Sequence, residues 1–466
     1  MFGSETSKVM LSSTEMKFKK ISFISLPYDL FSKIYTHYDY AYLLESMEGP
    51  KKLAQYSFIG FDPRSVIRFK NGELVIDDRR EHTSIKEEID DPLPKIKEII
   101  ERNFIPLYGL RFIGGAIGYI SYDAIRYWEQ IPEIARDDLD FPEIELAIYD
   151  DGIMFDHVKG ATYYYHLTKD CTRDLERLME SPTEIQPLTY TEPETNLSQK
   201  RFEGEVMKAK DYITAGDILQ VVLSKRYGFT FAGDLIQFYG SLRRINPSPY
   251  MYFLKMKDRQ IVGSSPEMLV RVENGIVETY PIAGTRPRVN DDNKNKALAK
   301  ELLSDPKERA EHVMLVDLAR NDIGRVSEYG SVHVPQFMEV HEYSHVQHIV
   351  SRVTGKLRSG CDSYDALRAI LPAGTVSGAP KVRAMEIIEE AEPTRRGPYA
   401  GAVGYFSFNG NSDFAITIRT LIANGNKAYI QVGAGIVADS DPEKEWYETD
   451  HKAQALMRAL EVSGED

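Results

Sequence analysis

Two helix starts in this chain follow one plan. Asp305-Pro306-Lys307-Glu308-Arg309-Ala310-Glu311 and Asp441-Pro442-Glu443-Lys444-Glu445-Trp446-Tyr447-Glu448 each offer an Asp as N-cap. Each has a proline at the first helical position, where its missing N–H does no harm. Each then sets two glutamates three residues apart on one helix face, Glu308 with Glu311 and Glu445 with Glu448. If the two faces meet, four carboxylates converge. A hard dication such as Mg2+ would relieve their repulsion, with an anionic substrate completing its shell. Taken singly, the same residues read as ordinary caps and ion pairs: Asp305 with Glu308 as a capping box, Glu448 with Lys452 as an i,i+4 pair.

Other stretches add groups an anion could use. Thr279 to Arg288 reads as a strand that breaks at Gly284, where the backbone could approach a ligand and Thr285 adds a hydroxyl. Gly433-Ala434-Gly435 weakens a strand interior just before the second glutamate helix, which calls for a bulge or a bound group. Arg419 can fork two N–H groups onto a carboxylate, with Tyr399 and Lys452 as candidate helpers. Pro372 to Lys381 is a glycine-rich loop running into a helix, arranged like an anion cradle, and it contains Thr375. It lacks the Walker spacing. His341 to His348 holds three of the ten histidines. Its HExxH letters at 341–345 fall outside the expected helices on which that motif binds zinc, and no partnered cysteines accompany them. Zinc is set aside, and His348 stands as an acid–base or a packing histidine.

These residues need a sizeable scaffold. At 466 residues with 42% hydrophobic content, the chain has enough material for about three domain-sized units or fewer large ones. A net charge of −14 argues against nucleic-acid and acidic-membrane partners, so an anionic substrate needs a local basic pocket. Two cysteines without metal spacing point to a reducing, cytoplasmic setting. Met1 to Lys20 has no apolar signal core, and no run approaches a membrane span.

Residues 1–16 are polar and expected to fray, and the Pro-, Thr- and Glu-rich stretch 181–197 reads as a linker. It separates an N-terminal lobe, 17–180, from a larger lobe, 198–466. Strands come in runs that helices interrupt, an α+β pattern of mainly antiparallel sheets packed together with helices outside. Gly115-Ala116-Ile117-Gly118-Tyr119-Ile120-Ser121-Tyr122-Asp123 echoes Gly401-Ala402-Val403-Gly404-Tyr405-Phe406-Ser407-Phe408-Asn409, identical at five of nine positions. Each copy leads into further strands, which predicts two related antiparallel sheets. The carboxylate helix follows the second copy alone, so the chemistry belongs in the C-terminal lobe.

Several blocks then fall into one order. Pro281 to Arg286, Glu311 to Asp322, Gly374 to Lys381 and Gly433 to Pro442 resemble the signature blocks of the chorismate-utilising enzymes. Leu43 to Ser46 and Tyr56 to Gly60 resemble that family's N-terminal region. The resemblance implies an α+β fold of that type, with Mg2+ on Glu311 and Glu448 gripping the ring carboxylate of chorismate. Glu308 and Glu445 would stand behind the ion. Gly284, Thr285, Tyr399, Arg419, Gly433, Ala434 and Gly435 would line the substrate site, with Lys452 near the metal-bound carboxylate. Glu267, His348 and Thr375 would serve the chemistry: Glu267 as the acid that helps the C4 hydroxyl leave, His348 as candidate base. Ser46, Pro249, Tyr250 and Met251 match a tryptophan feedback site, for which the competing reading is a rigid loop joining two lobes.

Two positions discriminate within the family. Relatives that add water to C2 carry Lys at the position of Gln220, and Gln cannot act as that base. Relatives that form 4-amino-4-deoxychorismate carry a nucleophilic Lys at the position of Ala283, and Ala cannot replace it. That leaves the branch in which ammonia attacks C2 and anthranilate and pyruvate leave. No Cys lies in a Gly-x-Cys-x-Gly setting, so ammonia from glutamine implies a separate glutamine amidotransferase subunit and a hetero-oligomer. The competing readings are the aminodeoxychorismate-forming branch and a non-catalytic metabolite sensor on the same fold.

Overall fold

Residues 15–22, 26–47, 55–343 and 346–464 are described by the structure, a computed structural model. Among them the chain forms two large sheets of thirteen and twelve strands, and every pairing between their strands is antiparallel. Faces that alternate along each strand let both sheets bury one side against the other. Tyr42, Tyr252, Phe112, Ile148 and Tyr405 belong to that shared core. The outer face of the first sheet is covered by helices Pro27–His37, Ile236–Ile245 and Pro442–Ser463, through residues such as Phe31, Phe238 and Leu456. The expected α+β class, antiparallel sheets with helices outside, is what forms.

Neither sheet belongs to one half of the sequence. The first places Tyr40–Glu45 beside Tyr250–Met256 at its centre. The second places Gly115–Ile120 beside Ala402–Ser407. The boundary read at 181–197 therefore does not separate sheets. Thr189–Tyr190 and Glu194–Thr195 of that stretch pair with the strand Gln220–Ala232, and Leu188 and Leu197 are buried. Residues 1–14 of the segment expected to fray lie outside the described residues, and Met16 is already packed in the core.

The internal echo is real, but its geometry differs from the expected pair of sheets. The two copies are neighbouring strands of one sheet, and the equivalent residues Gly118 and Gly404 face each other. Outward from that pair each half repeats the same order: Ile144–Tyr149 then Ser65–Lys70 on one side, Ser412–Ile416 then Met268–Glu273 on the other. The glycines permit it. A Cβ on Gly118 would stand 1.9 Å from the Glu145 carbonyl oxygen, and one on Gly404 would stand 2.0 Å from that of Asp413. Among the described residues no helix is long and apolar enough to cross a membrane.

Candidate active site

The site lies where the chain crosses between the sheets. Arg259–Ser265 belongs to the first sheet and Met268–Glu273 to the second, with Glu267 between them. Ser412–Ile416 belongs to the second and Thr420–Asn424 to the first, with Arg419 between them at φ +50°. The stretch after the second echo copy is thus two strands with a sharp crossing, and the crossing carries the arginine. Among the described residues the Arg419 side chain makes no hydrogen bond or ion pair. Burial pushes its pKa down, with Tyr399 beside it. A guanidinium without a counter-ion in a low-dielectric cleft is a site for an anion.

Glu267 is 8% exposed, and its carboxyl accepts one hydrogen bond, from Thr375 Oγ1 at 3.0 Å. Burial drives its pKa up to about 8 against the modest pull of Thr375. It is therefore protonated near neutral pH and can give a proton. The glycine-rich loop delivers Thr375, and here the anion-cradle expectation fails. Gly378 and Ala379 pair with Val221 and Gln220, and the Val376 and Ser377 N–H groups donate within the loop to the Ala373 and Gly374 carbonyls, so this backbone is committed to the sheet and to its own turn. Lys381 is held by Asp322 at 2.7 Å and by the Ile370 carbonyl at 2.9 Å.

His348 sits on the strand Val346–Lys356, opposite a bulge in Ile282–Pro287 at Gly284 and Thr285. Gly284 takes φ +67°, and its carbonyl lies 2.8 Å from His348 Nδ1. A carbonyl only accepts, so Nδ1 carries the proton and Nε2 keeps its lone pair. Thr285 Oγ1 adds a contact to Nδ1 at 3.2 Å. Burial lowers the His348 pKa, which keeps the ring neutral and its Nε2 lone pair free. Tyr343 packs edge-on against His348 at 5.6 Å between ring centroids. Burial raises the Tyr343 pKa to about 12 with Glu267 as the second cause, so this tyrosine stands beside both. Sequence reasoning passed over Tyr343, although it lies in the histidine-rich stretch. Ser344 and His345 of that stretch lie outside the described residues.

Both glutamate helices start as their sequences require. Asp305 caps Pro306–Gly324 by accepting from the Lys307 and Glu308 amides, and Asp441 caps Pro442–Ser463 by accepting from that of Lys444. The capping box at Asp305 is not completed. Glu308 turns to Arg286 at 3.0 Å, and the same guanidinium reaches Glu301 and Asp305 at 3.1 and 3.3 Å. Arg286 anchors the bulged strand to two helices.

The two glutamate faces come within electrostatic range of each other. Burial raises the Glu311 pKa, with Glu308 and Glu448 both adding to the rise. Glu445 is raised by burial too, with Glu448 adding. Glu448 pairs with Lys452 at 2.7 Å, and Lys452 Nζ donates to the Gly433 carbonyl at 2.9 Å. A Cβ on Gly433 would lie 2.8 Å from the Tyr399 hydroxyl, and one on Gly435 would lie 2.8 Å from Gln220 Nε2. Both glycines keep open the space between the carboxylates and Tyr399, and the buried Ala434 between them faces the other way. Among the described residues no group of three or more His, Cys, Asp or Glu side chains is arranged to hold a metal by itself. Carboxylates gathered at one end of the cleft, with Glu311 and Glu445 raised in pKa chiefly by burial, fit a Mg2+ that takes its other ligands from substrate and water.

A model of the chorismate binding enzymes matches residues 39–458. The chain belongs to that family. Anthranilate synthase component 1 of Methanothermobacter marburgensis is 50% identical, covering 94% of each chain. The same component of Aquifex aeolicus is 46% identical over 94% of this chain and 93% of that one. The crystal structure of anthranilate synthase component I from Streptococcus pneumoniae TIGR4 superposes with a TM-score of 0.76 at 41% identity, covering 88% of this chain and 94% of that one. The menaquinone-specific isochorismate synthase of Escherichia coli shares the fold, with a TM-score of 0.71 at 20% identity over 96% and 95% of the two chains. In this chorismate binding enzyme the four proposed inhibitor residues also share one cavity, away from the glutamate helices. Ser46, Pro249, Tyr250 and Met251 line it together with Arg271 and Asp413. Ser46 Oγ donates to the Pro249 carbonyl at 2.7 Å, and Tyr250 hydrogen-bonds Asp413 at 3.0 Å.

Proposed function

We propose that the chain is the large subunit of an anthranilate synthase. It converts chorismate and ammonia to anthranilate, pyruvate and water, with Mg2+ as cofactor and a glutamine amidotransferase subunit as ammonia source. The observation that carries this reading is the two-ended charge pattern of the cleft. Carboxylates crowd at one end, and among the described residues Arg419 has no counter-ion at the other. Chorismate carries a carboxylate at each end. Glu311 and Glu448 would hold Mg2+, with Glu308 and Glu445 behind them. The ion would bind the ring carboxylate and withdraw charge from the ring. Arg419 and Tyr399 take the enolpyruvyl carboxylate, and the Gly433 to Gly435 backbone admits the ring between them. Gly284 and Thr285 border it on the far side.

Ammonia forms the new C2–N bond, and the C4–O bond breaks with the double bonds shifting between. Glu267 gives its proton to the departing hydroxyl, which leaves as water. Thr375 orients that carboxyl. Nε2 of His348 then removes the C2 proton, the C3–O bond breaks, and the enolpyruvate that leaves takes up a proton at its methylene carbon to become pyruvate, leaving an aromatic ring. Gln220 supplies no base for water, and Ala283 no amine for covalent attack, which favours this branch over hydroxylation and over 4-amination. We further propose tryptophan as the ligand of the cavity at Ser46, Pro249, Tyr250 and Met251. Its apolar wall and its Arg271–Asp413 pair suit an indole and a zwitterion.

The test is incubation of the purified chain with chorismate, ammonium and Mg2+. Fluorescent anthranilate and pyruvate in equal amounts are expected, falling when tryptophan is added. An aminodeoxychorismate product without pyruvate would move the chain to the 4-aminating branch. No turnover of chorismate would favour a sensor.

A further inference from the structure

The strand Gln220–Ala232 has one face toward the cleft and the other toward the second glutamate helix. On the cleft face, Val222 and Ser224 stand opposite Gly435 and Gly433. On the helix face lies Lys225, 0% exposed, a lysine that neither the cleft chemistry nor the core requires. Its ammonium sits 3.2 Å from the centroid of the Trp446 ring. It pairs with Asp450, which also accepts from the Tyr227 hydroxyl, and it lies 3.5 Å from the Trp446 carbonyl oxygen. Phe202 packs edge-on against Trp446, at 5.7 Å between centroids. A fully buried ammonium is costly to desolvate, and it persists where ring and carboxylate compensate it together.

Trp446 and Asp450 bracket Glu448 on the same two turns. Glu445 and Lys452 lie one residue before Trp446 and two after Asp450. We propose that Lys225 is a positioning residue: by clamping Trp446 and Asp450 it fixes the rotation and height of the Pro442–Ser463 helix, and so sets how well Glu448 and Lys452 meet the metal and substrate. Lys225 touches neither. This rests on the anthranilate synthase reading for its effect on Mg2+, but the clamp itself can be measured without turnover.

Trp128 and Trp446 are the two tryptophans of the chain, so a Trp128→Phe background makes Trp446 the sole indole reporter. In that background Lys225→Met should change the intensity and emission maximum of Trp446. It should also raise amide hydrogen exchange over residues 442–452 at least tenfold, while exchange in the strands Tyr250–Met256 and Gly115–Ile120 stays unchanged. Half-saturating Mg2+ and the KM for chorismate should each rise about tenfold with kcat within threefold, and Lys225→Arg should recover most of the loss. Exchange rising evenly through the molecule would reduce Lys225 to general stability and overturn the proposal. Unchanged exchange at 442–452, or an unchanged Mg2+ requirement in an enzyme that responds to Mg2+, would also overturn it. If the parent chain makes no anthranilate, the function reading fails by itself, and the local exchange and the Trp446 emission still decide the clamp.

Discussion

Glu267 owes its proton to burial rather than to a charged neighbour, and that has a measurable sign. Its raised pKa of about 8 means that the acid form is full below neutral pH and is lost as pH rises through 8. At constant free ammonia the turnover rate should therefore fall above about pH 8. Thr375 donates to the carboxylate and lowers its pKa, so Thr375→Val should move that falling limb to higher pH. Glu267→Gln should cost about 10²- to 10⁴-fold in kcat, the usual worth of a general acid. Arg419→Lys should raise the KM for chorismate at least tenfold, because a planar fork becomes a point charge. An unchanged KM would place Arg419 outside the substrate site. Residue types were legible in the sequence here, because Glu, Arg and His in motif blocks announce chemistry. What each side chain touches was less so. Nothing in the sequence set Arg286 apart within its block or marked Lys225 at all, and their roles depend on partners far away in the chain.

At the scale of elements, the helix starts were the clearest signal. Asp-Pro fixes an N-terminus through a local cap and a preset φ, and no distant contact is needed to see it. The bulge at Gly284 was half visible: glycine marks an interruption, but its depth comes from pairing with Val346–Lys356. A Cβ on Gly284 would stand 2.9 Å from Glu308 Oε2 and would require the left-handed φ of +67°. Gly284→Ala should thus cost about 1–2 kcal/mol of backbone strain and raise both half-saturating Mg2+ and KM, read by thermal unfolding and by titration. The glycine-rich loop misled because composition does not say whether free N–H groups are later consumed. Here the loop's own turn consumes them: the Val376 and Ser377 N–H groups donate to the Ala373 and Gly374 carbonyls.

The whole molecule is two similar halves meeting across the Gly118–Gly404 contact, and one of them became the enzyme. At the crossing between sheets in the N-terminal half, Arg64 and Asp150 pair with each other at 3.1 Å. At the crossings of the C-terminal half, Glu267 and Arg419 carry no such partner, which leaves them to a substrate. The nine-residue echo made the duplication legible, but not that both copies share a sheet, since register between distant strands is decided by packing. Gly118→Ala and Gly404→Ala should each cost about 1–3 kcal/mol of stability by overpacking, and by similar amounts, measured by denaturant unfolding. Beyond the fold, the account stands on one ion held between two helices. The direct test is half-saturating Mg2+ for anthranilate formation in Glu311→Gln, Glu448→Gln and the double variant. Each single change should raise it at least a hundredfold, with the double variant little worse than either, because the two carboxylates serve one site. Losses that multiply independently, or a single variant with the wild-type Mg2+ requirement, would contradict it.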